Sequence, residues 1–389
     1  MNRALIFGAG NIGRGFLGVL LSKSDYEITF IDIHEKKINL INSEKQYPVF
    51  IVSSNGINED IVKRINAICF NNQEEIIGSI VESDLILTAV GKESLAFVAP
   101  ILAQGLIQRF KRRPNSDLSI TVVACENVQD NTNYLYQLVM AYIPKEYINR
   151  FESLSFPNCV VDRIVPNVLP KGENDPLAVA VEDYFQFVVD SSGLKSSFPK
   201  IIGVEFSENL EGILEQKLCT LNMAHAVVAY YGYIRDCEFI HEAMNITEIN
   251  KLLKGALAEV ESMIASRHKY ITLNSQRNYA EKVIKRFQNP HLKDEITRVA
   301  RQPKRKLGQN DRLVKPAALV LNSGKIPCYL ATGITAALRY NYPGDCQAVE
   351  IVQKIKKNGI RRVISEVTGL SQENELTRVL ESSFIFRGL

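Results

Sequence analysis

Residues 4–16 read ALIFGAGNIGRGF, and this stretch decides the fold of the N-terminal half of the chain. Its apolar start predicts a buried strand, and the glycines Gly8, Gly10 and Gly13 follow with the spacing G-x-G-x-x-G. The first glycine permits a tight turn, the second lets the backbone approach a pyrophosphate, and the third lets the next helix pack closely on the strand. Amides at the start of that helix then face the phosphate charge. The stretch therefore predicts a strand, a phosphate-binding loop and a helix.

An acidic residue, Asp32, ends the second predicted strand, 19 positions after Gly13. A carboxylate at this place would accept hydrogen bonds from the ribose hydroxyls of a dinucleotide and would repel the 2′-phosphate of NADP. The sequence therefore favours NAD, although His34, Lys36 and Lys37 lie close enough to weaken that preference. The alternative is that Asp32 only caps a turn or a helix.

A second loop completes the predicted cofactor site. The run Ala89-Val90-Gly91-Lys92 closes the predicted strand at Leu85–Val90, and its small residues would let the backbone approach the cofactor. The predicted NAD-binding residues are Gly8, Ala9, Gly10, Asn11, Ile12, Gly13, Asp32 and Val90.

Apolar runs alternate with helical patterns through the whole first half. Continuous apolar strands separated by helices are typical of a parallel sheet covered on both faces. The predicted strands are Ala4–Phe7, Glu27–Ile33, Leu85–Val90 and Ser119–Ala124, with further segments at Pro48–Val52, Ala67–Phe70, Cys159–Val165 and Ala178–Val189. The predicted helices are Asn11–Leu21, Lys36–Asn42, Glu93–Gln108 and Asn131–Met140.

The pattern changes after the turn-rich segment Asp190–Pro199. Helical periodicity then begins with Glu208–Tyr233, where Ser207 would cap the first helix, and recurs towards the C-terminus. Further predicted helices are Asn245–Arg267, Ser275–Phe287, Lys293–Ala300, Asp311–Asn322, Cys328–Tyr340 and Cys346–Lys357. We therefore predict an α/β fold, with a Rossmann-type dinucleotide-binding domain at residues 1–199 and an all-helical catalytic domain at residues 200–389.

Composition weighs against several classes of partner. The formal net charge of the 389-residue chain is only +3, whereas nucleic-acid-binding domains concentrate far more positive charge. No run approaches the roughly 18 apolar residues that span a bilayer. The seven cysteines are scattered without a CxxC pair, which is typical of reduced thiols. We expect a cytoplasmic protein that binds neither nucleic acid nor membrane.

The helix predicted after Ser207 carries three polar residues on an otherwise apolar surface. At about 100° per residue, His225 lies roughly 80° and Asn222 roughly 140° from Lys217, so the three share one broad face. Buried polar groups are costly unless they are partnered, so a ligand-facing stripe is one interpretation. The others are a solvated lysine, a satisfied core histidine and a packing amide. No HExxH motif or histidine–cysteine spacing typical of zinc accompanies them, and we predict no metal site.

Several motifs together carry a family resemblance. They are Phe7–Phe16, Ala124-Cys-Glu-Asn127, Val161-Asp-Arg-Ile164, Lys217-x4-Asn222-x2-His225, Arg286-Phe-Gln-Asn-Pro290 and Arg301-Gln-Pro-Lys-Arg-Lys-Leu307. On these motifs the chain resembles the polyol-specific long-chain dehydrogenase/reductase family over essentially its whole length.

The resemblance implies a metal-independent, reversible hydride transfer between D-mannitol 1-phosphate and D-fructose 6-phosphate, with NAD as the cofactor. Lys217 would act as general base and, in reverse, as general acid. Asn222 and Asn127 would donate hydrogen bonds to the reacting oxygen. His225 would orient the substrate hydroxyl. The expected partner is thus a small polyol phosphate or sugar phosphate.

A basic cluster follows in the last third of the chain. Its members are Arg298, Arg301, Lys304, Arg305, Lys306 and Arg312, relieved only by Asp311. It is either a solvated surface or the place where the substrate phosphate is held, and Arg163 is another candidate for that role. Two alternatives remain open for the function as a whole. One is a relative acting on unphosphorylated mannitol or on a hexonate such as mannonate or altronate, and the other is a non-catalytic NAD-binding redox sensor.

Overall fold

The computed structural model of the chain describes residues 2–112, 120–170 and 172–386. The chain divides into two compact units, residues 1–210 and residues 211–389. A parallel-sheet α/β half followed by a helical half is confirmed. The sequence places the domain boundary at 199/200, whereas the first unit extends to residue 210, because Val204–Ser207 pairs as a strand with Gln186–Asp190.

The first unit contains strands of two kinds, those of a parallel sheet and those of two smaller sheets. The strands are β1 (Arg3–Phe7), β2 (Glu27–Asp32), β3 (Gln46–Ser53), β4 (Gly56–Lys63), β5 (Ile65–Cys69), β6 (Leu85–Thr88), β7 (Thr121–Ala124), β8 (Cys159–Asp162), β9 (Val179–Glu182), β10 (Gln186–Asp190) and β11 (Val204–Ser207). The α-helices are α1 (Val19–Lys23), α2 (Glu35–Glu44), α3 (Gln73–Glu82), α4 (Leu95–Arg112), α5 (Asn131–Met140) and α6 (Ile148–Glu152). Single 3-10 turns lie at Lys92–Ser94, Lys145–Tyr147 and Ser191–Gly193.

Strand β1 is the central strand of the parallel sheet. In the described part of the chain the order is β5-β2-β1-β6-β7, and every neighbouring pair is parallel. Ala4 and Ile6 pack into one hydrophobic cluster, while Leu5 and Phe7 pack into another on the opposite face. Burial on both faces explains why the strand sequence is continuously apolar. It also places the carboxyl ends of the strands, where open α/β sheets bind ligands, along one edge.

In the first unit, the sequence analysis missed β4, β11, α3 and the short helix α6. Strand β4 is exposed along most of its length and carries Asn, Glu and Asp, so it lacks an apolar alternation. Helix α3 did have a signal, because Asn72 accepts a hydrogen bond from the amide of Glu75 at its start. The segment predicted at Ala178–Val189 is two strands, β9 and β10, which belong to different sheets. Ser119, at the start of another predicted strand, lies outside the described residues.

The helix after the glycine loop begins with a π-helical turn at Gly13–Gly18, where the sequence predicts regular helix. A π turn withdraws carbonyls from the α-helical hydrogen-bond pattern. The hydroxyl of Tyr47 donates to the carbonyl of Arg14 at 2.8 Å, and the guanidinium of Arg163 donates to the carbonyl of Gly15 at 3.2 Å. Side chains from distant strands therefore satisfy the backbone of this turn.

The second unit is helical throughout its described length. Its helices are α7 (Leu210–Lys217), α8 (Met223–Ile234), α9 (Ile240–Asn245), α10 (Thr247–Arg267), α11 (Leu273–Phe287), α12 (Ile296–Ala300), α13 (Pro303–Lys306), α14 (Val314–Asn322), α15 (Cys328–Arg339), α16 (Cys346–Asn358), α17 (Ile360–Thr368) and α18 (Glu375–Phe386). A second π turn, Leu218–Asn222, separates α7 from α8 and interrupts the single helix that the sequence predicts at Glu208–Tyr233. Ser207 does not cap α7, since it belongs to β11. Among the described residues, no helix combines the length and apolarity that crossing a membrane requires.

Replacing Tyr47 by phenylalanine should destabilise the protein. The substitution leaves the buried carbonyl of Arg14 without its donor, at a cost of about 1–3 kcal/mol in the free energy of unfolding. The matched control is Tyr340→Phe, because the buried hydroxyl of Tyr340 has no hydrogen-bond partner among the described residues. Urea denaturation followed by circular dichroism measures both variants. Equal stability of the two variants would contradict the role given to Tyr47.

Candidate active site

The glycine loop after β1 is held by very close backbone contacts. Gly8 has a φ of +104°, and a Cβ added there would lie 2.6 Å from the carbonyl oxygen of Ala89. A Cβ added at Gly13 would lie 1.9 Å from the carbonyl oxygen of Gly8. At Gly10, by contrast, an added Cβ would meet no protein atom within 4 Å. The fold itself thus requires glycine at the first and third positions, and the second lies open on the side where a pyrophosphate would approach.

Arg14 lies buried behind this loop. Its Nε donates to the carbonyl of Ala9 at 2.9 Å, and its other nitrogen donates to the carbonyl of Leu177. Asn11, the next predicted cofactor residue, donates its side-chain amide to Asn167 at 3.0 Å and stays partly exposed, as does Ile12. The loop is therefore fixed from inside the protein while its outer residues remain accessible.

Asp32 lies at the end of β2, as predicted, and it binds the glycine loop. Its carboxylate accepts the amide of Ala9 at 2.9 Å, the amide and ring nitrogen of His34 at 3.0 and 2.7 Å, and the ammonium of Lys37 at 3.3 Å. Burial alone would raise the pKa of Asp32, but the hydrogen bonds from His34, with Lys37 and Ala9, hold it below its ordinary value. The carboxylate stays ionised, which is the form that accepts hydrogen bonds from ribose hydroxyls.

Glu126 joins the loops that follow β6 and β7. Its carboxylate accepts the hydroxyl of Thr88 at 2.6 Å and the amide of Val90 at 3.0 Å, and burial raises its pKa. The predicted residues Val90 and Asn127 therefore both adjoin this carboxylate at the carboxyl edge of the sheet. Glu126 was not singled out from sequence, although it stands inside the motif that contains Asn127.

Lys217, Asn222 and His225 all lie around the second π turn. Lys217 ends α7 and is only 7% exposed, Asn222 ends the turn, and His225 stands in the first turn of α8. The angles predicted for a regular α-helix do not apply, because the turn changes the rotation between Lys217 and Asn222. Gln276, which is fully buried, donates to the hydroxyl of Thr220 inside the turn at 2.8 Å. This contact from α11 holds the turn in place.

Glu215 anchors α7 two residues before Lys217. Its buried carboxylate lies 2.7 Å from Arg267, 2.6 Å from His268 and 3.1 Å from Lys315. Burial would raise the pKa of Glu215, but these partners lower it to about 2. The helix that carries Lys217 is thus tied to the end of α10 and to α14 by one carboxylate.

Asp294 is a site residue that the sequence analysis missed. It is 1% exposed, and its carboxylate lies 2.9 Å from Nε2 of His225 and 2.7 Å from Nε of Arg298. Burial would raise its pKa, but Arg298 and His225 lower it. Burial lowers the pKa of His225, and Asp294 offsets only part of that effect. The ring also stacks on Phe287, with 4.7 Å between ring centroids.

The members of the basic cluster have different surroundings. Arg298 pairs with Asp294, Lys304 pairs with Glu350, and Arg312 lies 2.7 Å from Asp311. Lys306 is buried, whereas Arg301 and Arg305 are exposed.

Arg163, the other candidate for holding a phosphate, lies in the first unit. Its Nε donates to the carbonyl of Glu182 at 2.9 Å, and a second nitrogen donates to Gly15. Arg163 thus donates a hydrogen bond to a backbone carbonyl of the first π turn. Among residues 2–112, 120–170 and 172–386, no group of three or more histidine, cysteine, aspartate or glutamate side chains has an arrangement suited to a metal ion.

Models of two protein domains match the chain in succession. The mannitol dehydrogenase Rossmann domain matches residues 2–203, and the mannitol dehydrogenase C-terminal domain matches residues 209–389. The chain belongs to the mannitol dehydrogenase family. This membership confirms the family resemblance read from the sequence motifs.

Relatives of known name match at nearly full length. The protein named mannitol-1-phosphate 5-dehydrogenase from Bacillus subtilis (strain 168) is 39% identical over 97% of this chain and 98% of its own. The protein of that name from Thermoanaerobacter pseudethanolicus is 40% identical over 97% of this chain and 95% of its own.

Solved structures share the fold at much lower identity. Mannitol 2-dehydrogenase from Pseudomonas fluorescens, in a ternary complex with NAD and D-mannitol, has a TM-score of 0.78 at 16% identity, covering 98% of this chain and 91% of its own. Substrate-free D-sorbitol dehydrogenase also has a TM-score of 0.78, at 17% identity, covering 99% of this chain and 92% of its own.

Replacing Glu215 by glutamine should destabilise the second unit in a pH-dependent manner. Because the folded pKa of Glu215 is about 2 and its ordinary value is 4.5, its contribution is present above pH 4.5 and is lost as the pH falls towards 2. We expect a loss of about 3–5 kcal/mol at pH 7, since three cationic or hydrogen-bonding partners lose their charge partner. Urea unfolding at pH 7 and at steps down to pH 3 measures the difference, with exposed Glu281→Gln as control. If the difference in unfolding free energy between wild type and Glu215→Gln does not decrease below pH 4.5, the low pKa given to Glu215 is wrong.

Proposed function

We propose that this chain catalyses the reversible, NAD-dependent oxidation of D-mannitol 1-phosphate to D-fructose 6-phosphate. The observation that carries the proposal is the match, at 39–40% identity over 97% of the chain, to relatives named mannitol-1-phosphate 5-dehydrogenase. The buried lysine, the asparagine and the aspartate-bound histidine around the second π turn supply groups suited to that reaction. A cytoplasmic location accords with charged substrates, which do not cross an apolar bilayer unaided.

The first unit supplies groups that fit a dinucleotide. The open side of Gly10 and the amides of residues 10–13 suit the pyrophosphate, since the amide of Ala9 already donates to Asp32. The ionised Asp32 suits the ribose hydroxyls. Val90, held by Glu126, would adjoin the cofactor at the carboxyl edge of the sheet. When bound, NAD supplies the acceptor for the hydride that leaves the substrate carbon.

Lys217 would take the proton of the substrate hydroxyl during oxidation and return it during reduction. A base must be neutral before it accepts a proton, and burial in an apolar environment favours the neutral form of an amine. Lys217 meets this condition of burial, because it is only 7% exposed. Asn222 would donate a hydrogen bond to the substrate oxygen as charge develops on it. The family resemblance implies the same kind of role for Asn127.

His225 would orient the substrate through its remaining ring nitrogen. Asp294 is ionised and lies 2.9 Å from Nε2, so Nε2 carries a hydrogen and donates it. In the neutral ring, Nδ1 then carries no hydrogen, so it would accept a hydrogen bond from a substrate hydroxyl. Asp294 therefore acts as a positioning residue that selects the tautomer.

The proposed reaction is tested by NADH absorbance with the purified protein and NAD. We expect rapid NADH formation with mannitol 1-phosphate and none with mannitol, mannonate or altronate, and a weaker response with NADP. Turnover only with mannitol or a hexonate would show that the substrate is unphosphorylated, while the reaction type would stand. Tight NADH binding without turnover of any polyol would contradict the proposed enzymatic activity and favour a redox sensor.

The variant Lys217→Ala should lose about a hundredfold or more in kcat, because the general base is removed. Its affinity for NADH, followed by fluorescence titration, should equal that of the wild type. Lys251→Ala, an exposed lysine on α10, serves as control and should keep full activity. If Lys217→Ala keeps most of the wild-type kcat, Lys217 is not the general base.

The variant Asp294→Asn should lower kcat/KM by about tenfold or more, because the asparagine no longer fixes the tautomer of His225. Loss of the charge also lowers the pKa of His225 further, since Asp294 raises it in the wild type. The acidic limb of the pH–rate profile should therefore move to lower pH. Asp236→Asn, an exposed aspartate after α8, is the control. An unchanged profile together with an unchanged kcat/KM would reject the positioning role.

A further inference from the structure

Three arginines, Arg301, Arg305 and Arg312, lie within six residues of the buried Lys306 in the sequence after α12. We call these four residues the cationic pocket. Among the described residues, no carboxylate lies within ion-pairing distance of Arg301, Arg305 or Lys306. Asp311, the nearby acid, pairs with Arg312 at 2.7 Å. The pocket thus keeps a surplus of positive charge that its own side chains do not neutralise.

The members of the cationic pocket oppose one another electrostatically. Burial, followed by the charges of Arg312, Arg305 and Arg301, lowers the pKa of Lys306 to about 6. Arg305 is exposed as a whole residue, but partial desolvation of its guanidinium, followed by the charges of Arg312 and Arg301, lowers its pKa. Such clustering of like charges costs stability in the empty protein, and clusters of this kind are found where a ligand supplies the missing charge.

The backbone that carries the pocket is held in an unfavourable conformation. Gln302 has a φ of +57° directly before Pro303, which is rare for a residue with a side chain. Asp345 stabilises this conformation by accepting the amide of Gln302 at 2.8 Å, while it also caps α16. The ammonium of Lys306 donates to the carbonyl of Arg301. These contacts fix the direction in which the chain leaves α12, and local strain of this kind concentrates at binding sites.

The pocket lies farther along α8 than His225. Asp294, before α12, contacts His225, and Ala300, at the end of α12, accepts the hydroxyl of Tyr230 at 2.8 Å. The segment therefore follows α8 from residue 225 to residue 230, an axial distance of about 7.5 Å. Arg301 comes directly after Ala300. The charges of Arg312 and Arg305 also lower the pKa of the Tyr230 hydroxyl, against the larger opposite effect of its burial.

We propose that Arg301, Arg305 and Arg312, arranged around Lys306, form the subsite that binds the phosphate group of the substrate. This inference rests on the proposed function, and it names the residues that distinguish a phosphorylated polyol from a free one. A phosphate dianion neutralises the surplus charge, and guanidinium groups bind its oxygens with paired, charge-assisted hydrogen bonds.

The length of the substrate agrees with the position of the pocket. In an extended polyol phosphate, carbon 5 lies about 7 Å from the phosphorus on carbon 1, given bond lengths near 1.5 Å. This length is close to the axial separation of His225 and Tyr230. A substrate that runs along α8 from a hydroxyl held at His225 would thus reach the level of Tyr230 with its phosphate, where the chain leaves α12. Lys304, on the same short helix, pairs with Glu350 and takes no part.

The first test measures phosphate binding without catalysis. Inorganic phosphate should raise the Tm of the wild-type protein by a few degrees, against sodium chloride of equal ionic strength. The double variant Arg301→Ala/Arg305→Ala should show no such rise. Its Tm without phosphate should equal or exceed that of the wild type, because mutual repulsion has been removed. An equal rise in both proteins would overturn the subsite, whether or not the proposed reaction occurs.

The second test measures kinetics with mannitol 1-phosphate. Arg305→Ala should raise KM about ten- to a hundredfold, the effect of losing hydrogen bonds to a charged group, with NADH affinity unchanged. Lys304→Ala is the matched control and should stay within about twofold of the wild type. If the wild type oxidises mannitol 1-phosphate and Arg305→Ala keeps its KM, the subsite is wrong while the proposed function stands. If the wild type does not turn over this substrate, the proposed function is wrong, and the thermal test alone decides the subsite.

Discussion

The close approach of Gly13 to the carbonyl of Gly8 is the constraint on which the first unit depends. With only 1.9 Å available for a Cβ, the helix after β1 packs directly against the loop that precedes it. Asp32 secures the loop from the neighbouring strand by accepting the amide of Ala9. Because β1 is the central strand, the loops after β2 and β6 adjoin it on either side. The positions of the residues that fit the cofactor therefore follow from one steric contact and from the order of the strands.

The sequence predicted the elements whose residues carry their own signal. The central strands are buried on both faces, so their apolar runs stand out, and the glycine spacing follows from local sterics. Strand β4 escaped prediction because its residues are mostly exposed and charged. Asp294 also escaped, since its contact with His225 joins residues 69 positions apart and no local pattern indicates it. The two π turns likewise depend on distant side chains, Tyr47 and Arg163 in one case and Gln276 in the other.

Buried carboxylates organise both units, and their partners decide their protonation. Asp32, Glu215 and Asp294 each have basic neighbours, so each has a pKa below its ordinary value. Glu126 accepts hydrogen bonds only from neutral donors among the contacts described, and burial raises its pKa. Hydrogen bonds and charges from basic residues thus outweigh desolvation in three places, whereas hydrogen bonds from neutral donors do not outweigh it in the fourth. Ionised carboxylates consequently stand beside the loop and the histidine that they orient.

The π turn at Leu218–Asn222 has a consequence for how the protein tolerates change in evolution. A π turn holds one more residue than an α-helical turn, so loss of a single residue there would restore a regular helix. Every side chain beyond the deletion would then rotate by about 100° relative to Lys217. Substitutions within the turn alter packing at one point, but a change in its length would reorient Asn222 and His225 together. We therefore expect the spacing between these residues to tolerate less change than the identity of the residues between them.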